Sequence, residues 1–206
     1  MHDHQTVFIV DDDEGVRDGL SLLLATVGLS CELHESAHDF LDAYDGDRRG
    51  CLLLDIRMPR MTGLDLQKKL EEMGCTLPVI FITGHGDIPM AVEAMRRGAL
   101  DFIRKPFREH DLLERINEAL NIDEDAHRKA RDRQELADKL STLSEREKQV
   151  FDRVADGQMN KVIAADLGIS ERTVEVHRGQ VMKKLDVRTL AQLVRVKIDM
   201  EHSAAA

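Results

Sequence analysis

The chain has 206 residues, 42% of them hydrophobic, with 39 acidic side chains against 29 basic ones and a formal charge of −10. That length suits two domains, no apolar run approaches the roughly 20 residues of a membrane span, and the polar start MHDHQT lacks a signal-peptide pattern, so a cytoplasmic protein is expected. Cys31, Cys51 and Cys75 are an odd set without C-x-x-C spacing, which supports neither a disulfide framework nor a zinc site.

Through residue 120 the hydrophobic period alternates. Short β-branched or apolar runs at 7–10, 31–35, 51–54, 79–82 and 100–104 are each followed by a stretch with 3.6-residue spacing. The helical stretches, such as Val16/Leu20/Leu23/Leu24 and Leu64/Leu66/Leu70, have the length of crossover helices. The prediction is a right-handed, doubly wound parallel (βα)5 α/β fold. Gly28, Gly74 and Gly98 stand where helices would stop, and Asp87 before Ile88-Pro89 would cap the fourth helix.

An open parallel sheet binds ligands outside the carboxyl ends of its strands. There stand Asp11 and Asp12 after VFIV, Asp55 after CLLL, Thr83 after VIFI and Lys105 after ALDFIR. Each alone has a bland reading: the DDD run as a solvated loop or helix N-terminal charge, Thr83 as a strand residue, Lys105 as a surface cation. Together at strand ends they suit a phosphoryl group and a hard cation. Mg²⁺, or Mn²⁺ in its place, is commonly held by one or two carboxylates with waters and a phosphate oxygen, and Asp11, Asp12 and Asp55 supply such donors. A carboxylate can also attack phosphorus, while metal and ammonium offset charge on the transferring oxygens. Asp55, alone at the central strand, is the nucleophile candidate. A cis Lys105-Pro106 bond is expected, since it would aim the ammonium into the crevice.

These motifs, VDDD, LLLDIRMPRMTG, FITGHGD and FIRKPF, make residues 5–122 resemble the CheY-like receiver domain of bacterial response regulators. The resemblance implies that Asp55 accepts phosphate from a sensor histidine kinase. It implies that Asp12, Asp55 and the Arg57 backbone carbonyl hold the metal, with Asp11 supporting it through water. It also implies that Thr83 bonds the phosphoryl oxygen, Phe102 changes rotamer behind it and Lys105 pairs with the phosphate. Arg57 and His85 stand where the family varies, which leaves the phosphate lifetime open.

The charge balance shifts after the receiver segment, from 24 acidic against 13 basic side chains through Asp123 to 15 against 16 beyond it. That excludes a uniform nucleic-acid coat, not a local docking face. Residues 123–142, without Gly or Pro, are read as a helical linker continuing the fifth crossover helix. Ile116, Ala119, Ala126, Ala130, Ala137 and Leu140 share a heptad seam that Asp123 and Arg133 interrupt, so a weak dimer coil and a solvated single helix stay open.

From residue 143 to the end, 206, the pattern gives four short helices. Ser144 with Glu147 and Thr189 with Gln192 fit the capping box, and Ser170 can cap a third helix. Ala164 where two helices approach, Gly168 in the turn, and Ile163, Leu167, Ile169 and Val174 as a shared core mark a helix-turn-helix. An ordinary helical hairpin can carry the same spacing. The polar set Arg172, Thr173, Glu175, Val176, His177, Arg178 and Gln180 on helix 171–185, with Lys183 and Lys184 near its end, suits base edges and phosphates.

Residues 143–198 resemble the LuxR-type helix-turn-helix through LSEREKQVF, NKVIAADLGISERTVEVHRGQVMKKL and VRTLAQLV, and the whole chain resembles a FixJ-type response regulator. The resemblance implies that Glu175, Val176 and Gly179 face bases. It places Lys161, Thr173, His177, Arg178 and Lys183 near DNA, and has helix 189–199 dimerise on it. The expected function is a transcription activator that phosphorylation drives to dimerise and bind promoter DNA, where it meets RNA polymerase. Two alternatives stand beside it. One is a DNA binder indifferent to phosphorylation. The other is an aspartyl-phosphate phosphohydrolase, against which speak Arg57 in place of a general acid and the lack of a cap insertion. On the first reading the chain is no enzyme, apart from phosphoryl chemistry at Asp55 itself.

Overall fold

The computed structural model describes residues 5–84 and 88–204; Asp87, expected to cap a helix, and His85 lie outside them. Five strands, β1 (Thr6–Val10), β2 (Ser30–His34), β3 (Gly50–Leu54), β4 (Val79–Thr83) and β5 (Asp101–Arg104), alternate with α1 (Glu14–Thr26), α2 (Ala37–Ala43), α3 (Gly63–Glu72), α4 (Ile88–Arg96) and α5 (Glu109–Ser141). All strand pairings are parallel, in the order β2-β1-β3-β4-β5.

β3 and β4 are buried on both faces, which is why GCLLL and VIFIT read as unbroken apolar runs. Successive strand side chains point to opposite faces, so Phe8, Leu52, Leu54 and Phe81 pack with Phe40, Leu66 and Leu70, whereas Val7, Leu53, Ile80 and Ile82 pack with Leu20, Leu24, Leu112 and Ile116. Helices α2 and α3 thus cover one face, and α1 with the first turns of α5 the other. Gly28, Gly74 and Gly98 all take positive φ at helix ends, as expected.

The chain divides into two compact units, residues 1–127 and 128–206. α5 runs unbroken for 33 residues across that division, as the continuous pattern predicts. Its heptad seam is not one exposed stripe. Ile116 and Ala119 are fully buried in the first unit, Leu140 packs on the core of the second, and only Ala126, Ala130 and Ala137 are left exposed between them.

The second unit consists, among the described residues, of α6 (Glu145–Ala155), α7 (Asn160–Leu167), α8 (Glu171–Lys184) and α9 (Leu190–Ala204), together with the end of α5. Val150, Phe151, Ile163, Ala164, Val174, Val181 and Leu193 form its core. Gly168, at φ 65, closes α7 in the left-handed region and turns the chain into α8. The Ser144–Glu147 capping box, the Thr189–Gln192 pair and the Ser170 cap all form.

Candidate functional site

The carboxyl ends of β1, β3 and β5 bring Asp11, Asp55 and Lys105 together. Lys105 Nζ donates to Asp11 Oδ2 at 2.7 Å and to Asp55 Oδ1 at 3.4 Å. Asp11 Oδ1 also accepts from the Asp13 amide at 2.9 Å, and Asp55 Oδ2 from the Arg57 amide at 2.6 Å. Both carboxylates are buried, at 4% and 7% exposure. Burial raises the Asp55 pKa above the ordinary carboxylate value, against the pull of the Arg57 amide and the Lys105 ammonium. A more basic carboxylate is a better nucleophile.

The remaining expected members stand around this centre. Thr83 is buried at the end of β4, between the strands of Asp55 and Lys105, and its carbonyl accepts the Lys105 amide at 2.9 Å. Phe102, half-buried, pairs in register with Phe81 behind the site. The Lys105-Pro106 peptide is cis, as expected.

Asp12 is exposed, and among the described residues no three His, Cys, Asp or Glu side chains converge to hold an ion by themselves. The Lys105 ammonium lies between Asp11 and Asp55. The donor set fits a divalent cation, because one ammonium faces two buried carboxylates, and Mg²⁺ commonly takes only one or two protein carboxylates.

Two supporting residues escaped the sequence reading. Arg17 Nη1 donates to the Asp11 carbonyl at 2.7 Å, holding the start of α1 to the site. Gly63 opens α3 against Asp55: its amide donates to the Ile56 carbonyl at 2.9 Å, and a Cβ there would stand 2.2 Å from the Asp55 carbonyl oxygen. Thr62-Gly63 followed by Asp65, a capping box, is the signal that marks this tight entry.

In the second unit, Val174 and Val181 bury the inner face of α8, which turns Arg172, Glu175, Val176, Gly179, Gln180 and Lys183 to solvent. Val176 is 54% exposed, an apolar side chain amid polar ones. Lys161 is exposed on α7, while Thr173, His177 and Arg178 are half-buried. The Thr173 hydroxyl pairs with Ser170 at 2.8 Å, and Arg178 donates to Asn160 Oδ1 at 3.3 Å. Lys184 does not belong to the face: its ammonium donates to Glu147 Oε2 at 2.7 Å and to the Thr142 carbonyl at 2.9 Å.

Comparison with known proteins finds a family for each part of the chain. Residues 7–117 match the response regulator receiver domain, and residues 141–197 match the luxR family of bacterial regulatory proteins. The chain is 47% identical over 190 residues to the response regulator protein TodT of Pseudomonas putida, covering 92% of this chain and 84% of that one. With the transcriptional regulatory protein FixJ of Rhizobium meliloti it shares 46% identity over 193 residues, 94% of this chain and 95% of that one. Among solved structures, the response regulator StyR superposes with a TM-score of 0.87 at 44% identity, covering 94% of this chain and 98% of that one. No helix among the described residues is long and apolar enough to cross a membrane.

Proposed function

Since the chain belongs to the response regulators that join a receiver domain to a luxR-family DNA-binding domain, we propose that phosphoryl transfer to Asp55 is the switch of this transcription regulator. The observation that carries the assignment is the single Lys105 ammonium within hydrogen-bond reach of both Asp11 and Asp55 at the sheet's carboxyl edge. An Asp55 oxygen bonds phosphorus as the phosphorus–nitrogen bond of a sensor kinase's phosphohistidine breaks, and the freed histidine leaves. Lys105, already at the site, follows the charge onto the phosphoryl oxygens. Thr83 offers its hydroxyl from the neighbouring strand, and Phe102 adjusts behind it.

Receiver domains generally bind Mg²⁺ at the phosphorylation site. Here Asp11, Asp12, Asp55 and the Arg57 carbonyl would hold it, and when bound it neutralises oxygens that would otherwise repel the incoming phosphoryl group. The output is promoter DNA, which sets the place of work in the cytoplasm. Phosphorylation favours a homodimer that presents two α8 helices to successive major-groove half-sites, with Glu175, Val176 and Gly179 toward bases and Lys161, Arg172, Thr173, His177, Arg178 and Lys183 toward the backbone. Bound there, the protein activates transcription through RNA polymerase.

Sedimentation velocity tests this, using wild type and Asp55→Asn with Mg²⁺ and acetyl phosphate, with and without DNA fragments selected for binding. Gain of mass and of DNA affinity by wild type alone supports the switch. Equal behaviour of the two proteins overturns it and leaves a phosphorylation-independent DNA binder.

A further inference from the structure

Asp123 is 6% exposed although it lies in the charged stretch of α5. Its Oδ2 accepts from Gln5 Nε2 at 2.7 Å and from Arg49 Nη2 at 3.2 Å. Gln5 Nε2 also donates to the Leu120 carbonyl at 2.7 Å, and Arg49 Nη2 to Glu124 Oε2 at 2.6 Å. Burial works against the Arg49 charge, yet Glu124 and Asp123 more than offset it and hold the guanidinium proton more firmly than usual. Ile116, Ala119 and Leu120 already lay α5 on the sheet, so this polar clamp fixes something else: the point where the helix leaves it.

The two donors are strung on the strands that carry the acidic site. Gln5 precedes β1 and Asp11 follows it; Arg49 precedes β3 and Asp55 follows it. The strands pair in register from Thr6 with Gly50 to Val10 with Leu54. Both ends are tied, by the Thr6 amide on the Arg49 carbonyl at 3.0 Å and the Asp55 amide on the Val10 carbonyl at 2.9 Å. Gly50, at φ 133, permits this approach, since a Cβ there would stand 1.8 Å from the Thr6 carbonyl oxygen. Site and clamp are therefore opposite ends of one buried two-strand ladder about 20 Å long at roughly 3.3 Å per residue.

We infer that Gln5, Arg49 and Asp123 are positioning residues that couple the Asp11–Asp55 site to the root of the output helix. The inference rests on Asp55 being the phosphorylated residue. When Lys105 and the two carboxylates rearrange around a phosphoryl group, the tied pair of β1 and β3 carries the displacement to its other end, and the grip of Gln5 and Arg49 on Asp123 changes with it. Linkage makes the coupling reciprocal: whatever the site does to the clamp, the clamp does to the affinity of the site.

Beryllofluoride with Mg²⁺, a stand-in for the phosphoryl group, gives the test on the full chain. In wild type, saturation shifts amide exchange at residues 121–126 by at least threefold. Asp123→Asn, which keeps the shape and removes the charge, shifts beryllofluoride affinity by at least threefold in calorimetry, and Arg49→Met does the same if it folds. A merely structural clamp would leave the affinity at the distant site unmoved. Exchange or Asp123→Asn affinity changing by less than threefold overturns the coupling. Wild type failing to bind beryllofluoride, or Asp55→Asn binding it equally, instead overturns the Asp55 assignment and takes the coupling with it.

Discussion

Gly63 packs so closely on Asp55 that a side chain at 63 has no place to go: a Cβ would stand 2.2 Å from the Asp55 carbonyl oxygen. The obstructing atom is backbone, so a flexible neighbour cannot swing aside. Gly63→Ala is expected to push the start of α3 off the end of β3, costing about 1–3 kcal/mol of stability and slowing phosphoryl uptake from acetyl phosphate about tenfold, equivalent to ~1.4 kcal/mol on the barrier. Gly19, inside α1, has nothing within 4 Å of its virtual Cβ. Gly19→Ala should stabilise by about 0.5–1 kcal/mol. Chemical denaturation compares the two, and equal effects would remove the steric account.

Asp55 should weaken the fold that holds it. Burial raises its pKa, so the folded chain binds this proton more tightly than the unfolded chain does. The corresponding stability is fully present below the ordinary value of 3.8 and is lost as pH rises through the raised folded value. Asp55→Asn is therefore expected to melt higher than wild type at pH 7. The gap should close as the pH is lowered through the carboxylate range. Thermal melts of both proteins across that range check it, and a gap that widens toward acid would contradict the desolvation account.

Glu147 gives the opposite sign. The Lys184 ammonium, then the Ser144 amide, lower its pKa from 4.5 to about 2. Its contribution is present above 4.5 and is lost as pH falls from there toward about 2. Glu147→Gln should cost about 1–3 kcal/mol at pH 7, because a part-buried lysine contact and one half of a capping box weaken together. The difference from wild type should shrink only below about pH 4.5. Lys184→Met should destabilise comparably at pH 7.

How legible all this was depends on whether a side chain's partner is close in sequence. The strand-end residues Asp11, Asp55, Thr83 and Lys105 could be placed because parallel topology collects strand ends, and the caps at Ser144, Ser170 and Thr189 because their partners lie three positions on. Asp123 reads from the sequence only as an interruption of a heptad, since its partners Gln5 and Arg49 are 118 and 74 positions away. Lys184 reads from the sequence as part of the DNA-facing set beside Lys183, and only the packing of α8 against α6 turns it to Glu147, 37 positions back. Gly63 lay within a motif, but its close approach to Asp55 depends on how α3 enters the sheet edge.

The exposed face of α8 makes separable predictions about affinity and sequence choice. Lys161 on α7 and Lys183 on α8 are exposed cations. If they meet phosphates, Lys161→Ala or Lys183→Met should weaken binding to all sequences alike and reduce the salt slope by about one per lost contact. Glu175 and Val176 carry no positive charge, so Glu175→Gln and Val176→Ala should leave that slope unchanged. Each should alter discrimination at one or two base pairs by about 1–3 kcal/mol, Glu175 through a cytosine amino group and Val176 through a thymine methyl. Binding to a randomised half-site library at two salt concentrations reads both quantities in one experiment. Lys184→Met is the internal control, since its ammonium is held by Glu147 and Thr142: it should lower stability while leaving both slope and preference as in wild type. A reduced slope in that variant would mean that the Glu147 contact opens to reach DNA.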